Sequence, residues 1–149
     1  LAGTFAFYAL ITVSSSIIIG KLIDSYGSKK LVIFHLIPLS LGLLILSKSI
    51  NPYAALLYLG LAGVTVGMAN SLLSSLWAEI YGTKYIGSIK SLVTASMVYA
   101  SALSPFMFGW AIDFGINIEL IILFCMVYTL LSSVTLWIIF GLKVSKLNA

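Results

Sequence analysis

The sequence predicts an all-α integral membrane protein, and three observations support this fold class. Hydrophobic residues make up 61% of the 149 residues, whereas charged residues make up only 8%. Soluble domains carry about 25% charged residues, so this chain lacks a surface suited to water. Its mean hydropathy is +1.16. Its apolar residues fall into five runs, each close to the about 20 residues of a membrane-spanning helix: residues 2–20, 31–47, 53–78, 88–112 and 118–142. One transmembrane helical bundle over residues 1–149 is expected.

The first two predicted helices differ in polarity. In the first, hydroxyl residues recur every three or four positions and so share one face, which is formed by Thr4, Tyr8, Thr12 and Ser15. A hydroxyl face favours contact with protein or water, which places this helix toward the interior of the bundle. The second helix is rich in Leu, Ile and Val, and we expect it to face lipid.

The remaining three helices also have distinct characters. Asn51 and Pro52 mark the start of the third, because proline is tolerated in the first turn of a helix. Small residues follow along this helix and predict a groove for close packing: Gly60, Gly63, Gly67, Asn70 and Ser74. The fourth helix contains Pro105, which permits a kink. We expect the third and fourth helices to face a central cavity and the plainer fifth helix to face lipid.

The distribution of the lysines predicts the orientation of the bundle. All eight basic residues are lysines, and seven of them lie on one side: Lys21, Lys29, Lys30, Lys84, Lys90, Lys143 and Lys146. Lys48 lies on the other side. Because basic residues are retained in the cytoplasm, we expect a multi-pass protein of the cell (plasma or inner) membrane with a cytoplasmic carboxyl terminus. The first helix then enters from outside, so the chain is expected to be a fragment of a longer one.

The residue pattern excludes several classes of function. The sequence has no nucleophile–base–acid set, no HExxH or CxxC motif, no phosphate-binding glycine loop and a single histidine. We therefore expect no enzyme activity, no cofactor and no metal site. The lysines are scattered through short turns and form no basic face, so nucleic acid is not an expected partner.

The densest cluster of charge lies in the turn at residues 20–30, where the spacing is Gly20-x-x-x-Asp24-x-x-Gly27-x-Lys29-Lys30. This turn resembles the signature turn between two helices of the major facilitator superfamily. Residues 77–87 and 104–113 are similar to the turn before the eleventh helix of that superfamily and to the end of the eleventh helix. The resemblance covers essentially the whole chain, as helices eight to twelve of twelve. These helices form most of one six-helix bundle.

The resemblance implies a secondary active transporter that moves a small solute across the lipid bilayer by alternating access. It implies an amino-terminal half as a partner, on which a cytoplasmic gating turn packs to latch one access state. The residues of that turn are Gly20, Asp24, Gly27, Lys29 and Lys30. The residues alone leave open an ordinary positive turn in which Asp24 pairs with Lys21 or Lys29.

A second cytoplasmic turn is predicted from Glu79, Gly82 and Lys84. Glu79 together with Lys84 and Lys90 is a candidate second cytoplasmic latch, and the alternative is that these charges form a solvated rim. His35 is expected near the membrane interface rather than in a proton relay.

Polar side chains on three helices are candidates for a substrate cavity: Tyr8, Thr12, Asn70, Ser74, Tyr99 and Ser101. The alternative is that each forms hydrogen bonds between helices. No Asp or Glu lies in the middle of an apolar run, so a coupling proton or ion is expected to bind in the other half. The alternative function is a non-transporting membrane scaffold or the inactive remnant of a split transporter gene.

Overall fold

The computed structural model describes residues 2–49 and 51–141, and within these ranges the chain is helical and contains no β-strand. The helices are α1 (Ala2–Tyr26), α2 (Ser28–Leu31), α3 (Ile37–Lys48), α4 (Pro52–Tyr81), α5 (Ile86–Asp113) and α6 (Ile118–Leu136), which a π-helix (Trp137–Gly141) continues. Four spans are long and apolar enough to cross a membrane, while α3 is shorter. The all-α membrane fold is therefore confirmed. The predicted end of the last helix at residue 142, together with Lys143 and Lys146, lies outside the described residues.

The first helix is longer than predicted and takes in part of the charged turn. α1 continues past residue 20 and ends at Tyr26, so Gly20 and Asp24 lie in the helix rather than in the turn. Regular helix stops at Gly27, whose φ of 79° and ψ of 152° belong to a region that is essentially restricted to glycine. The structure thus corrects the start of the turn to Gly27.

The second predicted helix is interrupted. After the single helical turn of α2, residues 32–36 form turns, and regular helix resumes at Ile37. Pro38 explains this restart, because proline lacks the N–H that would continue the preceding helix and is tolerated in the first turn of a new one. The 12 residues of α3 extend about 18 Å, less than the about 30 Å hydrocarbon core of a bilayer. The second crossing, which stays a prediction, therefore requires the preceding turns as well as α3.

The interruption is packed against α6 rather than exposed. The Ser133 hydroxyl of α6 donates a hydrogen bond to the Ile33 carbonyl at 3.2 Å, which satisfies a backbone group freed by the break. His35 is buried in this turn, where its Nδ1 atom donates to the Val32 carbonyl. The ring is thus satisfied inside the protein, and its expected position near the membrane interface stays a prediction.

The closest helix contact joins α1 and α4, which run parallel. Tyr8 lies beside Gly63, and Thr12 beside Gly67. Further along both helices, the hydroxyl oxygens of Ser16 and Ser71 are 2.9 Å apart. The hydroxyl face of the first helix thus packs into the predicted groove of the third, which is confirmed for Gly60, Gly63 and Gly67. Since the residue numbers rise together in both helices, α1 and α4 end at the same end of the bundle.

α3 lies between α4 and α6 but keeps an exposed apolar face formed by Ile37, Leu41 and Leu44, so its contact with lipid stays a prediction. The Ser40 hydroxyl donates to Thr129 Oγ1 of α6 at 3.0 Å. On the side toward α4, a Cβ added at Gly42 would lie 3.2 Å from the Tyr58 ring. Ser40 and Gly42, two small residues within an apolar run, therefore allow α6 and α4 to approach α3 closely. By contrast, α5 has no buried residue within the described structure, although it was expected to face a central cavity.

Candidate functional site

The two predicted cytoplasmic turns meet at one end of the bundle. The first, here called the Asp24 turn, comprises residues 24–29, which are the last three residues of α1 and the three that follow. The second, the Glu79 turn, comprises residues 79–84, which are the last three residues of α4 and the three that follow. The backbone N–H of Ser28 donates to Glu79 Oε1 at 3.1 Å. Lys29 Nζ lies 3.7 Å from Glu79 Oε2. One carboxylate of α4 therefore holds both the backbone and a lysine of the Asp24 turn.

Glu79 faces the Asp24 turn because of its position along α4. It lies eight residues after Ser71, whose hydroxyl contacts Ser16 of α1, and so lies at the end of the α1–α4 contact. Across the described ranges the ion-pair partner of Glu79 is Lys29, and a second latch formed by Glu79, Lys84 and Lys90 stays a prediction. The Lys84 ammonium instead lies 5.4 Å from the centre of the Tyr85 ring.

The contact at Glu79 is partly shielded from water. The side chains of Lys29 and Glu79 are 42% and 34% exposed, so their ion pair alone contributes at most about 1 kcal/mol. Ser28, between them, is completely buried. Its hydroxyl has no hydrogen-bond partner in the part of the chain that the structure describes. The N–H bond to Glu79 is therefore the polar contact that secures Ser28 at this position.

Asp24 and Lys30, in contrast, are exposed. The Asp24 side chain forms no ion pair or hydrogen bond with any residue in the ranges 2–49 and 51–141. Local pairing of Asp24 with Lys21 or Lys29 is thus not observed, since Lys29 contacts Glu79 instead. Asp24 lies near the carboxyl end of α1, where the helix dipole disfavours a negative charge by about 0.3–1 kcal/mol.

The two turns share a local sequence and a backbone conformation. Both consist of an acidic residue, any residue, Tyr, Gly, a hydroxyl residue and Lys, in Asp24-Ser25-Tyr26-Gly27-Ser28-Lys29 and Glu79-Ile80-Tyr81-Gly82-Thr83-Lys84. Gly82 has φ 72° and ψ −179°, close to the values of Gly27. This repeat and the role of Ser28 were missed in the sequence analysis. Alignment of the helix ends on their glycines would have found the repeat, whereas the Ser28 contact had no sequence signal.

The six candidate cavity residues do not line one cavity. Tyr8 lines a groove of about 470 Å³ between α1, α3 and α4. Thr12 donates to the Tyr8 carbonyl at 2.8 Å inside the α1–α4 contact. Asn70 and Ser74 line a cleft of about 270 Å³ between α4 and α5. On α5, Tyr99 borders an open groove of about 700 Å³, and Ser101 is exposed and donates to the Val98 carbonyl.

The acidic residues keep to the ends of helices. Asp24 and Glu79 lie two residues before the ends of α1 and α4, Asp113 is the last residue of α5, and Glu119 is the second residue of α6. Together they account for all four acidic residues of the chain. No group of three or more His, Cys, Asp or Glu side chains that could hold a metal ion occurs in the described structure.

Comparison with known proteins identifies one family. The family model described as Major Facilitator Superfamily matches residues 1–148, which is nearly the whole chain. No curated protein and no solved structure matches the chain significantly.

Proposed function

Because the chain belongs to the major facilitator superfamily, a family of membrane transporters that move small solutes, we propose that it forms the carboxyl-terminal half of a secondary carrier. In this proposal α1, α3, α4, α5 and α6 correspond to helices eight to twelve of twelve. The carrier works by alternating access, in which this half rocks against an amino-terminal half about a solute site. The Asp24 turn resembles the signature turn of the superfamily, and the Glu79 turn, which follows it along the chain, resembles the turn before the eleventh helix. This order supports the assignment.

The proposed gate is the Asp24 turn. The observation that carries this proposal is the contrast between the secured Lys29 and the unpaired Asp24 beside it. Glu79 fixes the backbone at Ser28, so the turn has a defined shape against its own half. Asp24 remains available for a cation or a helix amino terminus of the opposite half. A contact formed in one access state only, worth about 1.4 kcal/mol, would shift the balance of the two states tenfold.

We place this end of the bundle in the cytoplasm of the cell membrane. Among the described lysines, Lys48 lies at the opposite end of the bundle, as the last residue of α3. The others lie near the end of α1, in α2, or between the end of α4 and the first turns of α5: Lys21, Lys29, Lys30, Lys84 and Lys90. This asymmetry supports the cytoplasmic placement, since basic residues are enriched there.

The experiment uses the complete native protein in proteoliposomes that carry a proton or sodium gradient. Saturable uptake of a solute from a metabolite mixture is the expected result, and its absence under every gradient would favour a non-transporting scaffold or an inactive remnant. Asp24→Asn is expected to lower the initial rate about tenfold, the change that a lost contact of about 1.4 kcal/mol produces. Asp113→Asn, which removes a carboxylate at the opposite end of the bundle, is the matched control and is expected to keep the wild-type rate. Equal rates for Asp24→Asn and the wild type would refute the gate.

A further inference from the structure

The cleft between α4 and α5 is formed by two facing rows of side chains. α4 contributes Asn70, Ser74 and Trp77, and α5 contributes Lys90, Thr94 and Met97. In each row the spacing is four and then three residues, so each row lies on one face of its helix. Trp77 and Lys90 lie about one turn from the helix ends, while Asn70 lies about 16 Å further into α4 than its end at Tyr81. The cleft thus runs from the end of the bundle toward its middle.

Lys90 lines this cleft and is exposed, and no opposite charge accompanies it there. No acidic side chain of the described residues lines the cleft. Glu79 is the acidic residue of α4, and its carboxylate is engaged by Ser28 and Lys29 at the contact with the Asp24 turn. Lys90 has no ion pair in the described ranges. A lysine without a carboxylate partner is available for a charge-assisted hydrogen bond to an anionic oxygen atom.

Three polar side chains in the same cleft could complete such a site. The side chains of Asn70, Ser74 and Thr94 form no hydrogen bond with other described residues, and all three line the cleft together with Lys90. An amide and two hydroxyls can donate to oxygen atoms. The rest of the lining is largely apolar, as is usual in small-molecule sites where a few polar groups fix the orientation of a ligand.

We propose that the α4–α5 cleft binds the anionic oxygen group of a ligand, a carboxylate or a phosphate. Lys90 forms the ion pair, and Asn70, Ser74 and Thr94 donate hydrogen bonds to the remaining oxygen atoms. The apolar lining accommodates an aliphatic portion of the ligand. A free organic anion and the head group of an anionic phospholipid share this chemistry. The proposal concerns binding, so it stands independently of whether the protein transports a solute.

The experiment measures binding to the complete native protein in phosphatidylcholine nanodiscs. The first arm titrates succinate and inorganic phosphate by calorimetry. The second arm replaces part of the lipid by brominated phosphatidylglycerol and records how far it quenches the fluorescence of Trp77. The emission of Trp77 is obtained as the difference between the wild type and a Trp77→Phe variant. Trp77 reports on this cleft because it lines it. Brominated phosphatidylcholine at the same fraction gives the background quenching.

Two matched lysine variants decide the outcome. Lys90→Gln is expected to lower the ligand affinity about tenfold or more in whichever arm shows binding, because a charge-assisted contact is lost. Lys90→Arg is expected to retain binding. Lys84→Gln removes the same charge at the same end of the bundle but outside the cleft, and is expected to bind as the wild type. A response to the soluble anions identifies a free anion as the ligand, and selective quenching by phosphatidylglycerol identifies a lipid head group. No response in either arm, or equal losses in Lys84→Gln and Lys90→Gln, would overturn the proposal.

Discussion

The Asp24 turn and the Glu79 turn have the same local sequence pattern but different surroundings. Each ends a long helix with a glycine in nearly the same conformation, two residues before a lysine. The chain after Gly27 folds back across the end of α4, which brings Ser28 and Lys29 to Glu79. The chain after Gly82 leads instead to α5, so Thr83 and Lys84 are exposed. The path of the chain after the glycine, rather than the motif itself, therefore decides which carboxylate is bound and which stays free.

The largest expected effect comes from the helix contact that aligns the two turns. A Cβ at Gly67 would overlap the Thr12 carbonyl oxygen and lie 2.9 Å from the Ser15 Cβ atom. We therefore expect Gly67→Ala to lower the free energy of unfolding by about 3 kcal/mol, as overpacking does at a rigid contact. Thermal unfolding in detergent, followed by circular dichroism, measures this change. Gly20→Ala is the control, because no atom lies within 4 Å of its added Cβ.

The next effect concerns the conformation that the turns share. Gly27→Ala and Gly82→Ala are each expected to cost about 2 kcal/mol, because both glycines occupy a region of positive φ that alanine rarely adopts. Gly87→Ala, in a helix with open space around the added Cβ, is the control. The same unfolding assay applies. A cost at one glycine but not at the other would contradict the equivalence of the two turns.

A smaller effect is expected from the contact between the turns. Glu79→Gln removes the charge that faces Lys29 and weakens the hydrogen bond to the Ser28 N–H, at a cost of about 1 kcal/mol. A double-mutant cycle with Lys29→Gln should give a coupling energy of about 0.2–1 kcal/mol that falls as salt is added. A cycle of Glu79→Gln with Lys84→Gln should give none. Coupling to Lys84 rather than Lys29 would contradict the observed pairing.

Composition and periodicity were sufficient to predict the membrane fold, the long helices and the glycine groove, because these features depend on local patterns. The uniform apolar run at residues 31–47 predicted a continuous helix, yet the structure has a break. The backbone carbonyl of Ile33 in this break accepts a hydrogen bond from Ser133 of α6, which is distant in the sequence. Pro38 was the local sign of that break. The exposure of α5 depends on which helices pack together, and no single helix encodes this information.

The candidate site was predicted in its residues but not in its pairing. The sequence identified both turns, whereas the partner of Glu79 depended on the parallel packing of α1 and α4 over a separation of 50 residues along the chain from Lys29. Likewise, Asn70 and Ser74 were grouped with Tyr8 and Thr12 because all are polar. In the structure Tyr8 and Thr12 of α1 pack on the side of α4 that carries Gly63 and Gly67. Asn70 and Ser74 lie on another side of α4, which faces α5.

The central claim is that Glu79 stabilises its own half of the carrier while Asp24 acts on the opposite half. The most direct test measures the unfolding free energy of the carboxyl-terminal half and the initial transport rate for Asp24→Asn and Glu79→Gln in the complete native protein. We predict that Asp24→Asn does not lower stability, because its side chain loses no contact and a charge that the helix dipole disfavours is removed, while transport falls about tenfold. Glu79→Gln should lower stability by about 1 kcal/mol. A stability loss for Asp24→Asn that equals that of Glu79→Gln, with unchanged transport, would contradict the account.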